Sequence, residues 1–338
     1  MRAFVVTAPR EFEVQQVQAP AAGPGHVVVD VERVGVCGTD VEFFTGEMQY
    51  LADGHARFPM RLGHEWAGTV ASVGPGVAQT WVGRRVTGDT MLGCGSCRRC
   101  KQGSQHVCED RFEVGIRGGF PGALAEQLAV PVTALHHLPD GLDAETGALV
   151  EPGGNALRAV WGADLSPGDR LLVLGAGTIG LLVALFARAQ GAQVHLLGRS
   201  HRSLEFARGL GFAGIWTAQN LPDLPFDAVV DATNAASMPA TAVDLVEPAG
   251  RVVLIGLSGS PSLLDTRTVA LKDVTAVGIL SGSPGLAGAI EQYASGAVDP
   301  RPLVAATVGL DEVGAALAGR LPDGVLGPGP KIHVDPRR

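Results

Sequence analysis

Cysteine is scarce in this chain, with five in 338 residues, too few for a disulfide scaffold at this length. Long blocks of one charge are also missing. The 26 basic and 34 acidic residues give a net charge of −8, with neither the basic stripe of a nucleic-acid binder nor that of an anionic-membrane binder. The opening MRAFVVTAPREFEV carries charges where a signal peptide needs an unbroken apolar core. The longest apolar runs are strand-sized or broken by glycine, so no membrane span is expected. A cytoplasmic protein with neither a membrane nor a nucleic-acid partner is the expectation. There is no repeat of about 20 to 50 residues, no low-complexity run and no Ser/Gly linker. Two domains joined by structured crossings, with a ligand cleft between them, are therefore expected.

What is present divides into two textures. To about residue 148, short Val-rich runs such as HVVVDVERVG and WAGTVASVG alternate with Gly/Pro turns, the mark of many short, mostly antiparallel strands. From Pro152 the pattern changes to α/β. RLLVLGAGTIGLLVALFARAQGAQVHLLGRS reads as strand, Gly-rich turn, helix, glycine stop and second strand. Further strands at 228–231, 251–255 and 274–279, with helices at 203–210 and 238–245, point to a doubly wound parallel sheet. The expected division is 152–285 for that domain and 1–151 plus 286–338 for the β-rich one, with the C-terminal strands packing back on the first.

The strand RLLVL leads into Gly175-Ala176-Gly177-Thr178-Ile179-Gly180 and then an apolar helix, the dinucleotide fingerprint in its required context. The glycines allow the tight turn, close approach of backbone to a pyrophosphate, and helix packing, while the helix start supplies amide donors. The second strand ends not in an acidic residue but in Gly198, Arg199, Ser200, His201, Arg202. Arginine's planar fork suits a 2′-phosphate, so NADP(H) is favoured over NAD(H).

Four of the five cysteines, Cys94, Cys97, Cys100 and Cys108, crowd into one short lobe. They supply the four soft ligands of a closed tetrahedral zinc site, with an iron–sulfur cluster or free thiols as the alternatives. The remaining one, Cys37 in GVCGTD, joins His64 and Glu65 in LGHEWAG and Glu151 in LVEPGG. Together they offer a thiolate, an imidazole and carboxylates, a set able to hold a catalytic zinc with room for a substrate oxygen. His64 and Glu65 are adjacent, so in a regular strand they face opposite ways. Both can reach one metal only if the backbone bends there, and either Glu65 or Glu151 can be the ligand.

GVCGTD, GHEWAGTVASVG, the four-Cys lobe, EPGGNALRAV and VLGAGTIG occur in the order seen in zinc-dependent medium-chain alcohol dehydrogenases, which the chain resembles over essentially its whole length. The resemblance implies a GroES-like catalytic domain from both ends of the chain, a Rossmann domain between them, and two zinc ions per subunit. It implies that Cys37, His64 and Glu65 or Glu151 hold the catalytic zinc and the four-Cys lobe the structural one. Thr39 then corresponds to the hydroxyl residue that contacts the substrate alcohol, Asp40 to the acid that orients the imidazole, and Asn155 to a cofactor contact near the nicotinamide. A glutamate at 151, where many alcohol-selective members have cysteine, resembles the polyol and sugar branch, while Glu42 departs from the histidine that ends the proton relay in some members.

The expected activity is reversible hydride transfer between NADP+ and a secondary alcohol, a sugar, polyol or aminocyclitol in a homodimer or homotetramer. Glu151, Glu42 and Arg117 would make the pocket polar, and Phe43, Phe44, Phe58, Trp66 and Phe120 are candidates for its rim, with packing in the core the commoner role of each such aromatic. The competing readings are a biosynthetic NADPH-dependent reductase, a simple secondary alcohol dehydrogenase, a zinc-free quinone reductase, and an inactive zinc- and nucleotide-binding sensor or scaffold.

Overall fold

The computed structural model describes residues 1–199, 201–322 and 324–338, without the side chains of His201 and Arg202. The chain opens with a hairpin of β1 (Arg2–Ala8) and β2 (Glu11–Gln16), followed by the ten-residue β3 (His26–Gly35). Two helices, α1 (Gly38–Thr45) and α2 (Gln49–Ala52), lead to β4 (Glu65–Val73) and β5 (Arg85–Gly88). A lobe follows with β6 (Met91–Leu92), α3 (Arg98–Lys101) and β7 (Phe112–Glu113), then β8 (Gln127–Pro131) and β9 (Leu135–His137).

Helices α4 (Ala144–Ala148) and α5 (Val150–Ala163) carry the chain across to β10 (Arg170–Leu174), α6 (Thr178–Ala189), β11 (Gln193–Leu197) and α7 (His201–Gly209). Then come β12 (Gly214–Trp216), β13 (Phe226–Asp231), α8 (Met238–Leu245), β14 (Val246–Leu254), α9 (Thr266–Leu271) and β15 (Thr275–Gly278). The chain closes with α10 (Leu286–Ala294), β16 (Val304–Gly309), α11 (Val313–Leu317) and β17 (Lys331–Asp335).

Strands β12-β11-β10-β13-β14-β15 form a six-stranded parallel sheet in that order. Leu171 to Leu174 of β10 are all fully buried, because helices cover both faces and the strand is apolar without alternation. Burying each such side chain stabilises the fold by about 1.5–3 kcal/mol. The strand order reverses between β10 and β13, the crevice where doubly wound sheets bind ligands.

The second large sheet runs β16-β17-β3-β4-β5-β9, with β8 also paired to β3. The expected return of the C-terminus is seen in β17, which pairs antiparallel with β3 through His333 opposite Gly35 and Val334 opposite Val34. Helix α10, just beyond the expected boundary at 285, packs with α5 and α6, its Tyr293 ring stacked on Phe186 at 5.6 Å. Strand β15 is one edge of the six-stranded parallel sheet, flanked by exposed Leu271 and Leu280. Among the described residues no helix is long and apolar enough to cross a membrane.

Candidate metal and cofactor centre

Cys37 sits between β3 and α1, in extended backbone as the residue that caps the helix start. Its N–H donates to Asp40 Oδ2 at 2.9 Å, while Asp40 Oδ1 accepts from Gly63 N at 3.2 Å and lies 3.6 Å from His64 Nδ1. One buried carboxylate thus clamps the two segments that deliver Cys37 and His64. Burial would raise the Asp40 pKa, but the His64 charge and these hydrogen bonds hold it below the ordinary range. Burial likewise would lower the His64 pKa, yet Asp40 and Cys37 hold it well above its usual value. With Nδ1 turned to Asp40, Nε2 is the ring nitrogen left for a metal.

The donor atoms of Cys37, His64 and Glu65 all lie within 4.8 Å of one another. One zinc ion, with bonds of about 2.0–2.3 Å to such atoms, fits among them. The opposed-face problem is met by register, since β4 begins at Glu65 and His64 stands just before it. Glu65 is held from the other side by Lys331, whose Nζ is 2.6 Å from Oε2 and 3.0 Å from the Val36 carbonyl, which leaves Oε1 as the free acceptor. Burial would pull Lys331 down, but Glu65 and Cys37 hold its pKa above the ordinary value. A Cβ on Gly35 would stand 2.1 Å from Glu65 Oε2, so only glycine lets β3 pass this carboxylate.

Glu151, in the first turn of α5, lies outside that three-residue group. Its carboxyl accepts from Asn155 Nδ2 at 3.0 Å and from Thr90 Oγ1 at 3.5 Å, and burial pushes its pKa up to about 7. Asn155, expected at the nicotinamide, thus has its amide committed to Glu151 Oε1 and to the Glu151 carbonyl. Thr39 is half-buried in the first turn of α1, and burial raises the pKa of Glu42 nearby.

In the four-Cys lobe all four sulfurs lie within 4.8 Å of one another, with Cys94 to Cys100 at 3.9 Å and Cys97 to Cys108 at 3.8 Å. Tetrahedral zinc with bonds of about 2.3 Å sets its sulfurs about 3.8 Å apart, so the lobe fits that ion. The Cys97 and Cys100 N–H groups donate to the Cys94 and Cys97 sulfurs, and hydrogen bonds from Ser96 and Cys97 lower the Cys94 thiol to about 6. At Cys94 this favours thiolate, the metal-binding form, whereas burial pushes the Cys100 thiol up to about 12.

At the nucleotide fingerprint Gly175 has φ +104, and a Cβ on Gly180 would meet the Gly175 carbonyl at 1.9 Å, so the turn and the helix packing both require glycine. Gly177 faces open space at the start of α6, where a pyrophosphate could approach. Thr178 and Ile179 form the first turn of α6. Arg199 is exposed just past β11, whereas Ser200 and the Arg202 side chain lie outside the described residues.

Of the aromatics considered for the rim, three take the core placement instead. Phe43, Phe44 and Trp66 are at most 1% exposed in the core of the β-rich half, because that core draws in the large apolar side chains of the strands around the site. Arg117 lies over the Tyr50 ring and donates to the Glu109 carbonyl. Sequence reasoning missed Lys331 and Thr90. The lysine inside the apolar strand KIHVD was the available signal, while Thr90 offered none.

Residues 23–140 match the alcohol dehydrogenase GroES-like domain family and 178–295 the zinc-binding dehydrogenase family. The 2-dehydro-3-deoxy-L-galactonate 5-dehydrogenase of Pseudoalteromonas atlantica is 31% identical, covering 91% of this chain and 92% of that protein. The chain belongs to the zinc-dependent medium-chain alcohol dehydrogenase family. An L-threonine 3-dehydrogenase of Rhizobium johnstonii is 29% identical over 92% of this chain and 93% of its own length. A zinc-binding dehydrogenase structure from Sinorhizobium meliloti, bound to NADP, superposes with TM-score 0.89 at 26% identity over 99% of both chains. This medium-chain dehydrogenase is thus an NAD(P)-dependent alcohol oxidoreductase with a GroES-like and a Rossmann-like half.

Proposed function

We propose that the protein reversibly oxidises a secondary hydroxyl of a small, polar, polyhydroxylated substrate to the ketone, with NADP+ as hydride acceptor and one proton released. The observation that carries this reading is the meeting of Cys37, His64 and Glu65 within 4.8 Å, faced by the buried carboxyl of Glu151. Zinc bound there supplies Lewis acidity, lowering the pKa of a hydroxyl and polarising a carbonyl. Cys37, His64 and Glu65 hold that ion, Asp40 orients the imidazole, and Lys331 orients Glu65. Thr39 takes the hydroxyl proton and passes it outward. Glu151, steadied by Asn155 and Thr90, accepts hydrogen bonds from further hydroxyls, which favours a polyol-like substrate over a simple alcohol. The relatives named for a sugar acid and for threonine support a substrate with several polar groups.

Cys94, Cys97, Cys100 and Cys108 hold a second, structural zinc. The nucleotide lies over Gly175, Gly177 and Gly180 with its 2′-phosphate on Arg199 and Arg202 beside Ser200, a preference supported by the absence of an acidic residue there. The catalytic work falls to 1–151 and the returning C-terminal strands, and nucleotide binding to 152–285 with α10. The exposed β15 edge pairs two subunits into a homodimer, or two dimers into a homotetramer, and the cytoplasm is the site of action.

Metal analysis of the purified protein and initial rates at 340 nm test the reading, with NADP+ and NAD+ across simple secondary alcohols, sugars, polyols, aminocyclitols and hydroxy acids. Two zinc ions per chain and turnover with NADP+ and a polyhydroxylated substrate are expected. Activity confined to NAD+ or to simple alcohols overturns the corresponding part.

A further inference from the structure

A second concavity lies in the β-rich half, with a volume of about 280 Å³ and a lining that includes none of Cys37, His64, Glu65 or Glu151. Its walls are largely apolar, from Val5, Val17, Met60, Ile116 and Phe120, and two arginines, Arg57 and Arg61, open onto it. Arg57 is exposed and Arg61 is partly buried. The Arg61 Nε is buried without a hydrogen-bond partner. Among the described residues neither guanidinium makes a hydrogen bond or an ion pair.

That arrangement is unusual. Arg61 lines the pocket with its Nε buried and unpaired, and a buried N–H with no acceptor calls for an explanation. Nothing in the wall offers a counter-charge, and burial lowers the Arg61 pKa to about 10, the response of a cation short of solvent and partners. The residue is held there by its backbone: the Arg61 carbonyl accepts from Gly122 N at 2.8 Å and the Leu62 carbonyl from Leu124 N at 3.0 Å. With Leu62 fully buried in the core, Arg61 is turned the other way, into the pocket. A planar fork with its donors unused matches a carboxylate or phosphate in two parallel hydrogen bonds, and the apolar walls match a hydrocarbon body beside it.

We propose that this pocket binds a small organic oxyanion, a carboxylate or phosphate monoester on an apolar body, with the partly buried Arg61 as its anchor and Arg57 at the rim. The site is separate from the catalytic one and does not depend on the substrate assigned above. It bears on catalysis through the chain, because Arg61 is three residues before His64 and the intervening Gly63 N–H donates to Asp40. A ligand on Arg61 braces the segment that presents the histidine.

Calorimetric titration of the full-length protein, saturated with nicotinamide cofactor so that the nucleotide site is closed to the probes, tests the proposal. The probes are benzoate, phenyl phosphate and uncharged benzamide. At least one of the anions should bind saturably, one per chain, and benzamide should not. Losing charge-assisted hydrogen bonds should weaken binding about tenfold or more in Arg61→Gln, and Arg57→Gln should weaken it less. Cys37→Ser should bind the probe as the parent does. Should Arg61→Gln fail to fold by circular dichroism, Phe120→Ala, which shortens the apolar wall and keeps both charges, carries the test through a weaker affinity. The proposal is overturned if neither anion binds, if benzamide binds equally, if the folded arginine variants bind like the parent, or if binding disappears in Cys37→Ser instead.

Discussion

Lys331 Nζ lies 2.6 Å from Glu65 Oε2, with both side chains only 2% exposed. These residues are far apart in sequence, and β17 brings them together by pairing with β3, the strand that leads to Cys37. The pair fixes one oxygen of Glu65, whose carboxylate also comes within 4.8 Å of the Cys37 and His64 donor atoms.

Lys331→Met should therefore be costly in two ways. Removing one partner of a buried ion pair leaves an uncompensated charge, at a cost of about 3–5 kcal/mol, and Glu65 loses its orientation. A lower melting temperature together with weaker retention of one zinc during dialysis against chelator is expected. A variant with parental stability and metal content would remove Lys331 from the site.

Gly35→Ala tests the same contact from the neighbouring strand. The added methyl meets Glu65 Oε2 at 2.1 Å, so the carboxylate must move. Overpacking of this kind costs about 1–3 kcal/mol, and metal titration should show one zinc bound more weakly while the four-Cys lobe keeps its own. Unchanged affinity at both sites would mean that Glu65 is no ligand.

The two cysteine sites should separate experimentally. Cys37→Ser should lower kcat by about a hundredfold or more, as expected when a Lewis acid is lost or misplaced, with a melting temperature near the parent's. Cys100→Ser should lower the melting temperature first, by roughly 5 °C or more, because a structural metal contributes folding energy directly. Parallel measurement of turnover and thermal unfolding decides, and a reversed pattern would exchange the two assignments.

Arg199→Ala should raise the KM for NADP+ about tenfold, the scale of a lost charge-assisted hydrogen bond, and leave that for NAD+ nearly unchanged. An equal rise for both nucleotides would take the 2′-phosphate off this residue.

His333 on β17 is fully buried, and neither ring nitrogen has a hydrogen-bond partner. Burial, then the charges of Lys331 and Arg33, lower its pKa to about 3, against a smaller opposing effect of Asp143. An unfolded imidazole protonates near 6.5, so between these values the unfolded chain binds the extra proton. Stability is complete above about pH 6.5 and falls as the pH drops, by about 2 kcal/mol at pH 5 from this group alone. In His333→Met, denaturant unfolding at pH 7.5 and pH 5 should show that difference shrink by about this amount. If the pH dependence stays the same, His333 is not its source.

The elements whose stability is local were legible in sequence. The β10–turn–α6–β11 unit follows from continuous apolar strands and from glycines that the turn geometry requires, and four cysteines in one short lobe can reach one another without help from distant chain. Cys37, His64 and Glu65 could be named as candidate ligands, because few residue types supply metal donors. Phe43, Phe44 and Trp66 take the core role that is the commoner one for such aromatics, a choice the sequence left open because an aromatic beside an active-site motif looks the same whether it faces the core or the cleft.

By itself, then, the sequence determined the α/β half, the thiolate lobe and the donor set, since periodicity, glycine geometry and donor chemistry are properties of short segments. Only the tertiary structure decided that Glu65 groups with Cys37 and His64 while Glu151 is bonded to Asn155 and Thr90 outside that group. It also decided that Lys331 and Gly35 shape that choice. A contact between strands far apart in the chain depends on register and on which charge is buried against which, and neither is written in local pattern.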